Sequence, residues 1–498
     1  MSRVLVIASR RRRGVLITAL LASAALAGCA AVGPNFQPPA PPSDTGYLPK
    51  GAPPIAAAAP GESAQQPQIG QSLQADWWTR LGSRDLDETV REALAANWNL
   101  EAARANLAKA NQMVAAARGG LFPQIDAAAG VERLSYGAYF LGPQAFGYPT
   151  FASYTGGVGV SYDLDLFGRT RRRIELAAAD AQVAGESLNA ARLAVSGATV
   201  MTALQIASAR AQIDTAEQVV ASDEKTLELV RAARRTGVAS EMDVTTAQSQ
   251  LDRDQALLPP LRQSLAVSRD ALAALVGKSP ASWSAPNFDL AGMTLPENIP
   301  LALPSELVRA RPDIRAAEAQ LHAANAEVGI ATADLYPQVN LSAAIAGQGL
   351  MSGPAGAAWS LIGGLSAPIF HGGTLTARRR GAEDAERAAF ADYQQTVLSA
   401  FQQVADNLQG LANAADSVRD EQQALNSATA ALNLTRLGYG VGNAGIVQVV
   451  DAQRLQQLAA LNLTQARVRR YALTVNLFLA AGGGLPAATP TPVKVAGR

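Results

Sequence analysis

The feature that most constrains this chain is a heptad pattern that runs through a long segment without proline. From residue 373 to residue 438, 66 residues pass without a proline, and an apolar or aromatic side chain recurs at every seventh position. The pattern predicts one continuous helix of about 100 Å, at 1.5 Å per residue. No compact domain encloses such a helix, so we expect a coiled coil or a long tube of helices. The eight seam positions are Phe390, Val397, Val404, Leu411, Val418, Leu425, Leu432 and Tyr439.

The chain also aligns with itself. At an offset of 214 residues, the segment from Leu100 to Gln124 matches the segment from Ile314 to Gln338, and near two glycine turns an offset of 205 pairs Gly237 with Gly442. We therefore interpret the two halves as copies of one unit, 76–276 and 304–484, joined by a linker at 277–303. Each unit is expected to contain a helix, two strands, a very long helix, a glycine turn and a shorter helix. The long helices are predicted at 169–236 and 373–438.

Alternating apolar and polar residues predict two strands in each unit. In the first strand Ile125, Ala127, Ala129 and Val131 alternate with polar neighbours such as Asp126. Each strand therefore has one apolar face and one polar face. The edge of a soluble sandwich would show the same pattern, so this alternative stays open. Four strands alone cannot close a barrel, because a barrel needs about eight strands. The predicted strands are 123–135, 155–167, 337–347 and 358–370.

The N-terminus carries a predicted export signal. Arg3 and the run from Arg10 to Arg13 precede a stretch of 13 residues, Val15 to Ala27, with only two polar members. A bilayer span needs about 20 apolar residues, so residues 1–28 are interpreted as a signal peptide. The sequence Leu26-Ala27-Gly28-Cys29 resembles the bacterial lipobox, which implies cleavage before Cys29 and a diacylglyceryl and N-acyl lipid on its thiol and amine. The alternative is a chance cysteine after an ordinary signal peptide.

Composition excludes several classes of function. The chain has 42 Lys plus Arg against 41 Asp plus Glu, for a net charge of +1, which excludes nucleic-acid binding by bulk charge. One cysteine and two distant histidines exclude an intrachain disulfide and a His/Cys metal cage. No base, nucleophile or metal cluster indicates an enzyme, and no cofactor other than the lipid is expected. The proline-rich residues 29–75 predict an extended lipidated tether, and residues 485–498 a shorter C-terminal tail.

Several motifs together resemble one known family, the TolC-like outer-membrane efflux proteins, in particular the lipoprotein branch that works with pumps of the RND (resistance-nodulation-division) class. The resemblance covers nearly the whole chain after Cys29. The motifs are Gly33-Pro34-Asn35-Phe36, Trp77-Trp78, Tyr162-Asp163-Leu164-Asp165-Leu166-Phe167-Gly168-Arg169, Leu303-Pro304-Ser305-Glu306-Leu307, Arg311-Pro312-Asp313-Ile314-Arg315-Ala316-Ala317-Glu318 and Val450-Asp451-Ala452-Gln453-Arg454.

The resemblance implies a mainly α-helical chain with a membrane β-barrel. Each protomer of a homotrimer would give four strands to a twelve-stranded barrel in the outer membrane and its helices to a long α-helical barrel in the periplasm. Three protomers would remove every sheet edge, which lipid does not tolerate. The implied function is a passive exit duct for small molecules delivered by an inner-membrane RND pump through a periplasmic adaptor. Two alternatives remain at this stage: a structural trimeric coiled-coil envelope lipoprotein, and a duct for protein secretion.

By the same resemblance, four residues are candidates for a gate at the periplasmic entrance. Asp451 aligns with an acidic residue that narrows the closed entrance, although an Asp in the first turn of the last helix would also suit the helix dipole. Asp243 and Tyr439 align with residues whose contacts hold the helices closed, although Tyr439 also fits the coiled-coil seam. Gln448 replaces a second acidic residue of the family, which weakens the expected double ring of negative charge.

Three further features carry specific expectations. Arg171 to Arg173 begin a long helix below the strands and are interpreted as a solvated face, with lipid headgroups or lipopolysaccharide phosphate as the alternative partner. His322 has no evident partner in the sequence. Pro259-Pro260 is predicted to kink the last helix of the first unit, because proline lacks the amide donor and collides with the preceding turn.

Overall fold

A computed structural model describes residues 31–49, 64–135, 150–351 and 353–484. The signal peptide, Cys29 and the C-terminal tail lie outside the described residues. Helices dominate the described chain. The helices are α1 (Arg84–Ala96), α2 (Trp98–Gly119), α3 (Arg169–Arg235), α4 (Glu241–Gln255), α5 (Leu258–Leu275), α6 (Pro304–Ala310), α7 (Pro312–Ala333), α8 (Thr374–Gly440) and α9 (Ile446–Ala480). The strands are β1 (Gln66–Ile69), β2 (Gln124–Ser135), β3 (Thr150–Leu164), β4 (Asn298–Leu301), β5 (Gln338–Leu350) and β6 (Ala355–Ser366).

The two long helices, α3 and α8, each have 67 residues, which corresponds to about 100 Å. Each begins directly after a glycine with positive φ, Gly168 at 79° and Gly373 at 84°. A side chain at this backbone conformation would be strained, so glycine suits the junction between a strand segment and a helix. The two halves therefore place the same backbone conformation at the same point, and the internal duplication itself stays a prediction.

The heptad seam of α8 is confirmed over its middle. Val397, Val404, Leu411 and Val418 are buried. Phe390, the first predicted seam position, is 46% exposed, so the prediction is wrong there for the single chain. Contacts with α9 and α7 bury the seam from Val397 to Val418, whereas Phe390 lies nearer the start of the helix.

The four longer strands form one antiparallel sheet in the order β2-β3-β5-β6. Its register brings the apolar positions of all four strands to one face: Ile125 pairs with Val160, Val160 with Ala343, and Ala343 with Leu361. The next row on this face contains Ala127, Val158, Ile345 and Trp359. The predicted alternation is therefore confirmed, and the apolar face is solvent-exposed in the single chain, with Trp359 80% exposed.

The sheet is open, and its edge strands are β2 and β6. Strand β3 begins earlier than predicted, at Thr150, and ends earlier, at Leu164. Strand β6 also ends before its predicted limit, at Ser366, so the expected strand residue Ile369 lies outside it. Pro368 follows the end of β6 and has no amide hydrogen for a strand ladder.

The main apolar core lies at the middle of the two long helices. Trp77, in a 3-10 turn (Trp77–Leu81), packs its ring against Phe478 of α9 with centroids 5.7 Å apart. Leu204 of α3 and Leu411 of α8 are buried in the same cluster. Strand β1 pairs in parallel with β4, and Ile299 and Leu301 of β4 point into this core. Segments 64–81 and 288–301 therefore form a belt against the middle of the helices.

The described parts of the proline-rich segment, 31–49 and 64–75, contain no helix, as the composition predicts, but they pack on the body of the protein. The hydroxyl of Tyr47 donates to the carbonyl of Ala302 at 2.7 Å. The buried Gln65 donates to Thr474 of α9 at 3.1 Å and accepts from Arg470 at 3.0 Å. The tether prediction is therefore wrong in one respect, because these residues form part of the folded wall.

The helix is interrupted near Pro259-Pro260, where a kink is predicted. Helix α4 ends at Gln255 and α5 begins at Leu258, with the prolines in its first turn. Amides in a first turn have no partner within the helix, so proline costs little there while it ends the preceding helix.

Among the described helices, α3 alone has a stretch apolar enough to cross a membrane by composition, and 56% of that stretch is buried inside the protein. Such burial is typical of a packed core helix.

Candidate functional site

The four predicted gate residues lie at the end of the helices where two glycine turns meet. Gly237 and Gly442 have φ of 80° and 79° and reverse the chain between a long and a shorter helix. Behind the turns, apolar side chains of α3, α4 and α9 pack into one cluster, which ties the two turns of the protomer together. The cluster contains Leu227, Val230, Ala247, Leu251, Ile446 and Val449.

Asp243 caps the start of α4. Its Oδ2 accepts the backbone N–H and the hydroxyl of Ser240, both at 2.8 Å, while the Ser240 hydroxyl accepts the backbone N–H of Asp243 at 3.2 Å. This reciprocal capping box satisfies amides that the first helical turn leaves free. The Asp243 side chain is half-buried at the turn, where its carboxylate serves as the cap of α4.

Gln448 occupies the corresponding position in the second turn, at the 205-residue offset from Asp243. Its Oε1 accepts the backbone N–H of Gly445 at 2.6 Å, and its side chain is exposed. A neutral amide therefore performs the same capping as the carboxylate in the first turn. The change from acid to amide removes one negative charge from each protomer without removing the cap.

Tyr439 is the second-to-last residue of α8 and is half-buried against the apolar cluster behind the turns. Burial, and then the negative charge of Asp243, raises the pKa of Tyr439 above its ordinary value. No hydrogen bond joins Tyr439 to Asp243 within the described part of the protomer. Asp243 thus acts on Tyr439 through its charge alone, while its carboxylate accepts its hydrogen bonds from Ser240.

Asp451 is the sixth residue of α9, which begins at Ile446 with no acidic residue in its first turn. The first-turn alternative considered for Asp451 is therefore wrong, because the helix starts earlier than that interpretation requires. Its side chain is exposed, and in the described residues its carboxylate has no hydrogen bond or ion pair. Asp451 thus presents a free negative charge near the tip of the helices.

A second site lies at the opposite end, where β3 meets α3. We name residues 31–36 the N-terminal strap. Arg172 is 3% exposed, and its guanidinium binds the strap by donating to the carbonyls of Val32 and Gly33 at 3.1 and 3.2 Å and to Oδ1 of Asn35 at 2.9 Å. The backbone N–H of Val32 donates to the carbonyl of Phe167 at 3.0 Å, which places the strap at the strand-to-helix junction.

The strap continues onto α7. The ring of Phe36 stacks on His322 with centroids 4.4 Å apart and planes at 11°. Nε2 of His322 lies 2.9 Å from Oε1 of Glu175, and Nη1 of Arg172 donates to Oε2 of the same carboxylate at 2.7 Å. Burial alone would raise the pKa of Glu175, but the hydrogen bonds from His322 and Arg172 outweigh burial and hold that pKa below its ordinary value.

The strap requires glycines on both sides of the contact. Gly33 has a φ of 91°, and a Cβ there would lie 2.7 Å from Cα of Gly329 in α7. A Cβ on Gly168 would lie 2.5 Å from Cα of Ala31. The strap backbone therefore lies directly on the backbone of the helix wall, at positions where any side chain would push the two apart.

Two expectations from the sequence need correction here. The arginine run at 171–173 is not a uniform solvated face: Arg172 is buried under the strap and Arg171 pairs with Asp165 at 3.2 Å, while Arg173 is exposed. His322 has a partner, Glu175. The motif Gly33-Pro34-Asn35-Phe36 was the available signal, since three of its four residues contact α3 or α7.

The described residues contain no group of three or more His, Cys, Asp or Glu side chains that could hold a metal ion. Cys29, the predicted lipidation site, lies outside the described residues.

Comparison with known proteins identifies the family. The chain matches the family model "Outer membrane efflux protein" over residues 89–278 and 303–483. It is 28% identical to the toluene efflux pump outer membrane protein TtgF of Pseudomonas putida, covering 93% of this chain and 95% of that protein. It is 26% identical to the "Probable outer membrane lipoprotein SilC" of Salmonella typhimurium, covering 92% of this chain and 96% of that protein.

The fold agrees with these matches. The solved structure of the outer-membrane channel OprN superposes with a TM-score of 0.79 at 26% identity, covering 91% of this chain and 99% of that chain. The resemblance drawn from the sequence motifs is confirmed, as are the outer-membrane location and the expectation that the protein is not an enzyme. The chain belongs to the outer membrane efflux protein family.

Proposed function

We propose that the protein is the passive exit duct of a tripartite efflux system, a homotrimer that receives small molecules from an inner-membrane RND pump through a periplasmic adaptor. One observation carries the proposal: an open four-stranded sheet with an exposed apolar face lies at one end of two helices of 67 residues. A soluble protein would cover that face, whereas a bilayer solvates it.

Closure of the sheet between protomers supports the trimer. A single chain leaves the edges of β2 and β6 unpaired, and unpaired edges are costly in lipid. Three copies joined edge to edge make twelve strands and leave no edge. The opposite face of the sheet is polar, with Nδ2 of Asn340 donating to Asp163 at 2.7 Å, which suits the lining of a water-filled pore.

The same three-fold arrangement turns the helices into a tunnel. Helices α3 and α8 pack with α9 and α7 along their length, and their exposed sides remain available to neighbouring protomers. In this arrangement the glycine turns form the entrance, where the adaptor docks. The structural-lipoprotein alternative accounts for the helices but gives no use to the apolar sheet face.

We propose that Asp451 forms the negatively charged ring of this entrance, because it is exposed and its carboxylate is uncompensated in the described chain. Three copies would favour cations in the closed pore. Asp243 and Gln448 cap the starts of α4 and α9. Tyr439, near the end of α8, packs against the apolar cluster behind the turns. The absence of a carboxylate at 448 leaves a single acidic ring.

The N-terminal strap supports a lipid on Cys29. Val32 is bonded to Phe167 at the base of β3, and three residues span at most about 11 Å. A lipidated Cys29 would therefore lie at the level where the sheet becomes helical, next to the leaflet that faces the periplasm. Replacing Cys29 with Ser should abolish labelling of the protein by radioactive palmitate, and continued labelling would refute the site.

The experiment that tests the function is deletion of the gene in a strain that expresses the partner pump and adaptor. We expect increased susceptibility to some compounds of a broad panel of dyes, detergents, drugs and aromatic acids, restored by the intact gene. Unchanged susceptibility across the panel would contradict the proposal. Loss of proteins from the culture supernatant, with unchanged susceptibility, would instead support a secretion duct.

A further inference from the structure

Two carboxylates face each other in the interior of the protein, away from the gate residues. Asp223 of α3 is 3% exposed and Asp254 of α4 is 5% exposed. Asp223 precedes the turn glycine Gly237 by 14 residues, which is about 20 Å along the helix. Buried carboxylates without a cation between them are unusual, because burying one negative charge is already costly.

The hydrogen bonds indicate which carboxylate carries the proton. Both oxygens of Asp254 accept amide donors, Oδ2 from Gln250 at 2.8 Å and Oδ1 from Gln457 at 3.4 Å. Oδ2 of Asp223 is buried, and no donor in the described part of the chain reaches it. Two carboxylates within hydrogen-bonding distance can bond only when one of them carries a proton. Since Asp254 already has its donors, the proton belongs on Asp223.

The charged surroundings agree with this assignment. In the described residues, two charged groups act on Asp223, Asp254 from α4 and Arg436 from α8, while α9 contributes only the neutral amides of Gln453 and Gln457. Burial, the hydrogen bond to Asp254 and the charge of Asp254 raise the pKa of Asp223 to about 8, against a lowering effect of Arg436. The Arg436 guanidinium is bonded to Ser222 at 2.6 Å.

We propose that Asp223 and Asp254 form a proton-binding site that clasps α4 to α3. With the proton bound, an O–H···O bond joins the two helices. When the proton leaves, two buried anions face each other and α4 loosens from α3.

The sign of the effect follows from the direction of the shift. In the unfolded chain the pKa of Asp223 is near its ordinary value of 3.8, whereas in the folded protein the pKa is raised to about 8. The stabilisation of the clasp is therefore complete at low pH and is lost progressively as the pH rises to about 8.

The clasp occurs in only one of the two helix hairpins. At the 205-residue offset, the positions of Asp223 and Asp254 correspond to Ala428 and Ala459. The second hairpin has alanine at both positions and still packs, so packing of such a hairpin does not require the two acids. Helix α4 carries Asp243 at its tip, so loosening α4 would also move one gate residue in each protomer. This link to opening rests on the proposed function, whereas the clasp itself does not.

Infrared titration of the purified full-length protein in detergent micelles tests the proton site directly. Difference spectra between two pH values cancel the signal of the lipid ester carbonyls. In these spectra we expect the band of a protonated carboxylic acid at pH 7, and this band should disappear with a midpoint near pH 8. Asp223→Asn should remove the band, and the control Asp252→Asn, an exposed acid on α4, should retain it. A titration unchanged in Asp223→Asn would overturn the proposal.

Hydrogen exchange tests the mechanical consequence. After correction for the intrinsic pH dependence, amides of Glu241–Gln255 should exchange about tenfold faster at pH 9 than at pH 6.5. Asp223→Asn, which mimics the protonated acid, should show no such change, and Asp252→Asn should behave as the unmodified protein does. Equal acceleration in Asp223→Asn would contradict the clasp.

Channel recordings separate the clasp from its link to the duct. If the clasp governs opening, the open fraction should rise between pH 7 and pH 9 in the unmodified protein and stay constant in Asp223→Asn. A constant open fraction in both, together with the expected exchange data, would refute the link to opening and leave the clasp established.

Discussion

Arg172 donates a hydrogen bond to Oδ1 of Asn35 at 2.9 Å, across 137 residues of sequence. This contact ties the N-terminal strap to the first turn of α3, next to the end of β3. With the stacking of Phe36 on His322, it makes the N-terminal strap a part of the helix wall. The lipid anchor proposed at Cys29 is thereby held at a defined level of the protein.

Replacing Arg172 with Met tests the strap. The change leaves two strap carbonyls and the Glu175 carboxylate without their buried donor, which should cost about 3 to 5 kcal/mol of unfolding free energy. We expect a lower thermal unfolding midpoint and rapid proteolysis of the strap. Arg173→Met, at the exposed neighbouring position, is the matched control and should change little. Equal stability of the two variants would contradict the structural role of Arg172.

The strap should also depend on pH through Glu175. Its pKa lies below the ordinary value of 4.5 in the folded protein, so its stabilisation is complete above that value and is lost as the pH falls through the folded pKa. Glu175→Gln removes the charge, and we expect it to lower stability by about 1 to 3 kcal/mol at pH 7. Thermal unfolding at several pH values checks this, and the two proteins should converge on acidification. A stability difference that stays constant down to pH 3 would be inconsistent with this account.

The coiled-coil seam predicts a contrast between two leucines of the same helix. Leu411 is buried in the middle of α8, whereas Leu434 is exposed. Leu411→Ala should cost about 2 to 5 kcal/mol because it removes buried methyl groups and leaves a cavity. Leu434→Ala should have a small effect, because the Leu434 side chain is exposed. Chemical denaturation of both variants measures the difference, and an equal loss would show that the seam is assigned to the wrong face.

The elements that repeat a local pattern could be predicted from the sequence. The long helices follow from the absence of proline and the seven-residue period, and the faces of the sheet follow from alternation along Ile125 to Val131. These features depend on neighbours within one element. The limits of β3 and β6 were less predictable, because pairing with the adjacent strand extends or ends a strand beyond its own pattern.

The contacts between distant segments could not be predicted in this way. Proline-rich composition indicates an extended chain but does not distinguish a free tether from a strap packed on α3. In the sequence Arg172 cannot be told from Arg171 and Arg173, and only the fold shows that the carbonyls of Val32 and Gly33 cover it. Asp223 and Asp254 lie on different helices, and only the packing of α4 on α3 brings them together. The candidate gate residues were placed by family resemblance, and the capping roles of Asp243 and Gln448 became visible only in the structure.

Removal of the exposed gate charge should alter ion selectivity. Asp451→Asn removes three carboxylates from the entrance of the proposed trimer, and we expect the permeability ratio of cations to anions to fall by about twofold or more. The reversal potential in a KCl gradient across a planar bilayer measures the ratio. Asp420 is an exposed acid on α8, about 30 Å before the end of the helix. Asp420→Asn therefore serves as the control and should leave the permeability ratio unchanged. An unaltered ratio in Asp451→Asn would exclude the acidic ring.

Single-channel recording of the purified protein in a planar lipid bilayer tests the central claim most directly. If three open sheets close into one barrel above a tunnel of helices, insertion should produce discrete, uniform conductance steps that carry ions without an energy source. Insertion of intact trimers without any conductance across the accessible voltage range would contradict an exit duct and favour the structural envelope lipoprotein.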